Sequence, residues 1–372
     1  MINLKPIKQP GLKFDHVVGT GGIGSGIFFL MEGNETLGRN ESRPAMLLPY
    51  KDFCKQHIIL HYISVLLGSD GNGSFQTFPI GKVGNDDIGK ELVQKMRSAG
   101  MNTDYVGICN DHSTLFSVCY QYPDHSGGNI TTQASASNEV TAEDIDVFFR
   151  ESDLKREGEI IIAAPEVPLA ARIRLLEYGR KRGSLNVACL LSSEADEFDR
   201  RDGFEMVDIL SINMDEAGSI AKVREEGNGS GRIVEACIKV LSEINPGILI
   251  LITDGANGCY CYAHGLLEFV HSLGAAVKST AGAGDAFLAG TVAGLACGLP
   301  LVKGVGDGYF AETPLQTAVE LGVLLASLSV TSADTIHLGA NAVLLHEYAL
   351  KNSIRFGEGF HKIFFDPISI TL

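Results

Sequence analysis

The chain has 372 residues, 45% hydrophobic and 20% charged, which suits one large or two modest globular domains with a real core and argues against disorder. Its formal net charge of −15 speaks against nucleic-acid or acidic-membrane partners, since both need a basic footprint. Eight cysteines are scattered without paired metal-ligand spacing, and no signal-like or membrane-spanning stretch opens the chain, so a reducing cytoplasm is expected.

Residues 14–18 read as a first strand, followed by Gly19-Thr-Gly21-Gly22-Ile-Gly24. That is the Gly-x-Gly-x-x-Gly of a dinucleotide fold, which also needs a helix, a second parallel strand and an acidic residue about 20 positions on. Here the chain runs instead into the polar, loop-like stretch 34–44, so a dinucleotide-dependent oxidoreductase is the weaker reading. In that loop Arg39, Asn40 and Arg43 can either recognise hydroxyls or an anionic group, or simply face solvent. Lys51 to Leu67 has apolar residues at helical intervals and stops at Gly68, which predicts a helix against a sheet. His57 and His61 lie four apart on it, either as a metal pair or as plain helix-face histidines, with no third ligand in view.

A strand over 78–84, a turn and a helix over 90–99 follow, with Asp86 or Asp87 as the cap. Residues 115–122 alternate, turn at 123–128 and resume at 129–132, which predicts a hairpin. From Glu159 strands and helices alternate: strands at 160–163, 185–191, 207–212 and 248–253, helices at 168–182 and 231–243. That rhythm means a parallel sheet covered on both faces, with ligands gathering at the carboxyl ends of its strands. Cys259 and Cys261 point to one face of a following strand and are expected to be buried as small apolar groups.

Two strand ends stand out. Asn213-Met-Asp-Glu216 is either an N-cap with a first-turn acid or a pair that handles phosphate and metal. Thr253-Asp-Gly255-Ala-Asn-Gly258 is either a hairpin turn or a hydroxyl with open backbone for a ligand. Then Gly282-Ala283-Gly284 forms a turn before a helix that runs to Gly298, with Asp285 in its first turn. A helix start offers unpaired N–H groups and partial positive charge to a phosphate, glycines let a bulky anion approach, and an aspartate there can take a proton from an attacking hydroxyl. The same residues also make an ordinary tight turn with a capping acid. Ala286, Gly290 and Gly294 form a small-residue face for close packing, and Pro300 leaves too short a run for a membrane span. Residues 302–313 read as a Gly-rich linker, 315–330 as a helix, and 362–365 as an edge strand.

Residues 281–287, Ala-Gly-Ala-Gly-Asp-Ala-Phe, resemble the C-terminal signature of the ribokinase-like (PfkB-type) carbohydrate kinases, whose usual form is Asp-Thr-Thr-Gly-Ala-Gly-Asp-Ala-Phe. Residues 81–89 resemble that family's Gly-x-Val-Gly-x-Asp-x-x-Gly, Asn213 to Glu216 its Asn-x-x-Glu, and Thr253 to Gly258 its Thr-x-Gly-x-x-Gly. The resemblance implies a doubly wound, mainly parallel α/β sheet with helices on both faces plus a small β-sheet lid, in one domain over 1–372, with lid segments within 25–50 and 105–135. It implies transfer of phosphate from ATP to a hydroxyl of a small sugar or sugar-like polyol. Asp285 would be the base, with Gly282, Ala283 and Gly284 as the anion hole. Asn213, Thr253, Gly255, Gly258, Thr280 and Ala281 would line the nucleotide, and Glu216 would hold Mg2+ through water. Gly21 and Gly22 would face the substrate, Arg39, Asn40 and Arg43 are either stand-ins for the family's sugar-reading groups or a solvated loop, and the lid hairpin could pair two copies.

Two departures matter. The first 70 residues fit poorly: Cys54, Lys55 and Ile59 stand where the family offers Gly-Gly-x-x-x-Asn, so the sugar-reading groups are absent or moved. That leaves open a nucleotide-responsive binding protein without turnover, although the retained Asp285 argues against it. Ser279 stands where potassium-activated members carry an aspartate, which implies weak or no potassium activation.

Overall fold

Five strands made almost wholly of buried residues lie side by side because neither of their faces meets water. In the computed structural model, which describes residue 4 and residues 14–68, 75–124, 126–154, 158–223, 230–303 and 314–364, the chain begins with β1 (His16–Thr20), β2 (Gly24–Met31), β3 (Ala45–Phe53) and α1 (Lys55–Leu67). It continues through β4 (Gln76–Gly84), α2 (Asp87–Ser98), β5 (Val106–Cys109), β6 (Leu115–Gln121), β7 (Gly127–Thr131) and α3 (Ala142–Glu151). The alternating half follows: β8 (Glu159–Ala163), α4 (Leu169–Arg182), β9 (Leu185–Cys189), α5 (Ala195–Arg200), β10 (Ile209–Asn213), α6 (Met214–Ala221), α7 (Ser230–Ile244) and β11 (Leu249–Thr253). The hairpin β12 (Gly258–Ala263) and β13 (Leu266–His271) precedes α8 (Ala283–Ala296), α9 (Ala318–Ser329), α10 (Ala342–Lys351) and α11 (Glu358–Phe364).

The large sheet has the order β13-β12-β11-β10-β9-β8-β1-β4-β5, parallel except where β12 and β13 run antiparallel at one edge. Period-two alternation divides its core in two. Val17 packs with α1, α8 and α9 on one face, and Val18 packs with α3 and α4 on the other. This is the doubly wound α/β architecture expected from the strand-helix rhythm. A separate four-stranded sheet has the order β3-β2-β6-β7 and contains the expected hairpin of β6 and β7.

The glycine-rich turn after β1 leads into β2 of this small sheet and not into a helix, so the requirements of a dinucleotide turn are unmet. Lys51, Asp52 and Phe53 end β3 and the helix begins only at Lys55, a correction to the helix expected from Lys51. Residues 362–364 belong to α11, not to an edge strand, because Phe360, Ile363 and Phe364 are buried with helical spacing. Most of the expected linker, 304–313, lies outside the described residues.

Helix α8 is apolar all round because it is sandwiched, a Cβ on Gly290 falling 2.8 Å from Gly322 Cα and one on Gly294 the same distance from Ala318 Cα of α9. The predicted small-residue face is thus where two helix backbones meet. On α1, His57 and His61 are buried with their rings 6.2 Å apart, and among the described residues their ring nitrogens have no partner. Burial, with the like charge of Lys95 nearby, lowers His57 to about 3 and His61 to about 4. Asp86, and not Asp87, caps α2 by accepting from Gly89 N, and it also holds the N–H and hydroxyl of Thr114 at the start of β6.

Candidate active site

Parallel register brings one end of every central strand to the same edge. Thr20 of β1 lies beside Ala163 of β8, and Asn213 of β10 beside Thr253 of β11. The chain turns towards β4 from β1 and away through β9, β10 and β11 from β8, so the topological switch falls between β1 and β8. Gly21 and Gly22 stand at that switch: Gly22 N donates to Pro165 O at 2.9 Å, and Ala164 N to Thr20 O at 2.8 Å.

Across from the strand ends sits the start of α8. Gly282 is its N-cap with φ 79°, and a Cβ there would lie 2.5 Å from Thr335 O, so both conformation and space demand glycine. Ala283 N is engaged by Thr280 O at 3.2 Å. Among the described residues the N–H groups of Gly282, Gly284 and Asp285 are left without a backbone partner there. Gly284 is exposed, and a Cβ on it would lie 4.0 Å from Thr253 Oγ1, which brings the β11 end against the helix start.

Asp285 is half-buried, and its carboxylate accepts no hydrogen bond from the described residues. Burial raises its pKa to about 6; Lys55 pulls it down, while Glu216 and Asp52 push it up. Lys55 opens α1, which packs against α8. Burial would lower the lysine, but the charges of Asp285 and Glu216 outweigh that and hold it above its ordinary value.

Glu216 Oε1 is 3.6 Å from Lys55 Nζ, and its Oε2 accepts from Asn213 N at 2.8 Å, while Asn213 Oδ1 accepts from Glu216 N. The pair is therefore a capping box whose second carboxylate oxygen faces the site. Among the described residues no three His, Cys, Asp or Glu side chains gather to hold a metal. A single available carboxylate oxygen suits a magnesium ion that keeps its waters and arrives on phosphates, and not an all-protein cage. The Thr253 to Gly258 segment is a hairpin turn, with Asp254 N donating to Gly258 O at 2.8 Å and both Gly255 and Gly258 at positive φ. Thr253 Oγ1, Gly255 and Asn213 lie at the carboxyl edge, the last two exposed.

Sequence reasoning missed Glu166, three residues past β8. Its backbone is left-handed at φ 75°, unusual for a non-glycine residue and typical of functional positions. Its Oε2 is buried without a partner among the described residues, and a Cβ on Gly22 would lie 2.8 Å from that atom. Burial raises Glu166 to about 7, Cys54 bonding to it lowers it, and Asp285 raises it again. Lys55 and Asp52 were missed as well. A cleft of about 280 Å³ opens between the small sheet and Lys278–Ala281, so Thr280 and Ala281 do line it, with Phe28, Leu48, Tyr50 and Cys119 opposite.

Arg39, Asn40 and Arg43 are not among its lining residues. Arg43 is held within its own loop by Glu41 Oε1 at 2.5 Å and Glu35 O at 2.6 Å. The small sheet is fastened to the helix start by the turn after α9. Thr335 N donates to Lys51 O, Thr335 Oγ1 accepts from Phe53 N, and Asp334 Oδ1 accepts from Lys51 N.

Similarity to known proteins agrees with this geometry. The chain is 24% identical over 287 residues to a probable chloroplastic fructokinase-6 of Arabidopsis thaliana, covering 73% of this chain and 69% of that one. It is 26% identical over 219 residues to a bifunctional ribokinase/ribose-5-phosphate isomerase A of Fructilactobacillus sanfranciscensis, covering 58% of this chain and 38% of that relative's length. The structure of ribokinase from Cryptococcus neoformans var. grubii serotype A in complex with ADP superposes with a TM-score of 0.69 at 18% identity, covering 90% of this chain and 99% of that one. The model of pfkB family carbohydrate kinases matches residues 62–341, a span that holds Glu166, Asn213, Glu216, Thr253 and Asp285 together, and the chain belongs to that family.

Proposed function

We propose that this protein transfers the γ-phosphoryl group of ATP to a hydroxyl of a small sugar or sugar-like polyol. The observation that carries the reading is Asp285, a carboxylate with no donor among the described residues, set in the first turn of α8 beside backbone N–H groups that no described carbonyl engages. The acceptor hydroxyl gives its proton to Asp285 as its oxygen bonds to phosphorus, and the bond to the bridging oxygen breaks to leave ADP. The free amides of Gly282, Gly284 and Asp285 stabilise the charge that develops on the transferred group. Thr253, Gly255 and Gly258 run along the nucleotide with Thr280 and Ala281, and Asn213 lies near the phosphates. Mg2+ neutralises phosphate charge when bound, and Glu216 would hold it through water.

On the acceptor side, Gly21 and Gly22 keep the floor open, and Glu166 Oε2, buried and unpartnered, accepts a substrate hydroxyl. The small sheet serves as the cover of the cleft and as a contact between two copies, because Met46, Leu47 and Ile130 are exposed on its edge strands β3 and β7. Among the described residues no helix is long and apolar enough to cross a membrane.

A screen of ATP consumption with sugars, nucleosides and polyols tests the activity, and consumption with none of them overturns it. Replacing the base, Asp285→Asn, is expected to keep nucleotide affinity and to lower kcat by about 10² to 10⁴. A kcat within about threefold of wild type removes Asp285 from that role.

A further inference from the structure

The small sheet shows the cleft a row that crosses all four strands: Leu48 of β3 pairs with Phe28 of β2, Phe28 with Cys119 of β6, and Cys119 with Asn129 of β7. All four line the cleft. Side chains alternate along a strand, so the row two residues further along β2 faces the same way. That row is Asp52, Gly26, Ser117 and Thr131.

Its central glycine explains the contact it allows. A Cβ on Gly26 would lie 2.1 Å from Ser117 Oγ and 2.9 Å from Asp52 Cβ, so only glycine lets these side chains meet across the strand between them. Ser117 Oγ donates to Asp52 Oδ2 at 2.7 Å, and Cys119 Sγ donates to the same oxygen at 3.4 Å. Burial raises the pKa of Asp52, while these two donors and the N–H of Phe53 favour its ionised form.

A carboxylate has about four acceptor sites, so three neutral donors leave it short. Among the described residues no Lys, Arg or His forms an ion pair with Asp52, and its charge is felt at both Asp285 and Glu166. Burial without a cation is costly for a carboxylate, and the β-sheet itself does not need one there. The group is therefore oriented, incompletely satisfied, and set on the cleft-facing side of the small sheet, one row beyond the residues that line the cleft.

We propose that Asp52, oriented by Ser117 and Cys119, determines acceptor specificity by taking a hydrogen bond from a second hydroxyl of the substrate, away from the one that is phosphorylated. The proposal rests on the phosphotransferase reading above and narrows it. The acceptor is a polyol with hydroxyls on two sides, and a simple alcohol lacks the second contact.

The test compares wild type, Asp52→Asn, Asp52→Ala and Ser117→Ala with ATP and D-ribose, D-fructose or inosine, each beside its mono-deoxy analogues. Melting temperatures are measured in parallel. Wild type should disfavour one particular deoxy analogue by about tenfold to a hundredfold in kcat/KM, the value of a hydrogen bond to a charged group. Asp52→Ala should lose the same factor on the parent acceptor and nothing on that analogue. Asp52→Asn, which keeps the shape and so the fold, should show the same selective pattern with a smaller loss, as should Ser117→Ala.

A loss shared equally by parent and analogues, or no loss in any variant, overturns the role of Asp52 while leaving the phosphotransferase standing. If wild type itself phosphorylates none of the panel, the phosphotransferase reading falls, and this inference falls with it.

Discussion

The charge on Asp285 is set by opposed neighbours, and removing one of them should move the pH dependence of turnover in a known direction. Lys55→Met keeps the buried stem and removes the ammonium that favours ionised Asp285. Losing an opposite charge at short range raises a carboxylate pKa by roughly 1–3 units, so the acid limb of kcat/KM should climb from about 6 to about 7–9. Near pH 7, wild-type Asp285 is about nine-tenths ionised; with a pKa of about 8 it would be about one-tenth ionised, a loss of about tenfold that returns above pH ~9. The assay is the initial rate of acceptor phosphorylation from pH ~5.5 to ~9.5 at saturating ATP and magnesium, with both proteins in parallel so that titration of the nucleotide cancels. A uniform drop with the limb unmoved refutes the electrostatic coupling between Lys55 and Asp285.

The buried imidazoles of His57 and His61 are held neutral, so the unfolded chain binds more protons below pH ~6.5 and their contribution to stability falls as pH drops from there towards about 3 to 4. Between pH ~7.5 and ~5 this costs wild type about 4 kcal/mol more than a His57→Leu/His61→Leu protein, read by urea denaturation. Parallel pH dependences would contradict it. Gly282→Ala forces positive φ on a side chain 2.5 Å from Thr335 O, so it should lose on the order of 1–3 kcal/mol in stability and most of its turnover. Ser279 offers a neutral hydroxyl, so rates at matched ionic strength should be alike in potassium and sodium, and many-fold stimulation by potassium would contradict that. Met46→Glu with Leu47→Glu should shift sedimentation towards the monomer, and an unchanged oligomer would exclude the small-sheet contact.

What could be read in the sequence was what is local. Residues 213–216, 253–258 and 281–287 sit at strand ends and helix starts that their own neighbours specify, and the parallel sheet followed from the alternation after Glu159. The acceptor side escaped because nothing local marks it. Glu166 acquires its proposed role from a left-handed turn and from Gly22, 144 residues earlier in the chain. Lys55 read only as a position where the family's Gly-Gly-x-x-x-Asn is missing, and Asp52 fell inside a helix that does not begin until Lys55. Arg43 looked free for ligands because its partners Glu35 and Glu41 were read as part of the same polar run. At the C-terminal end, four residues were too few to separate a strand from a helix, and burial of Phe360, Ile363 and Phe364 decided it.

Thr335 holds β3 through its N–H and hydroxyl while its carbonyl packs against Gly282. The wall proposed to meet the acceptor and the turn proposed to meet the phosphates thus share a single fastening. A shift of either one strains the other, so a loosened cover also means a slackened set of amides.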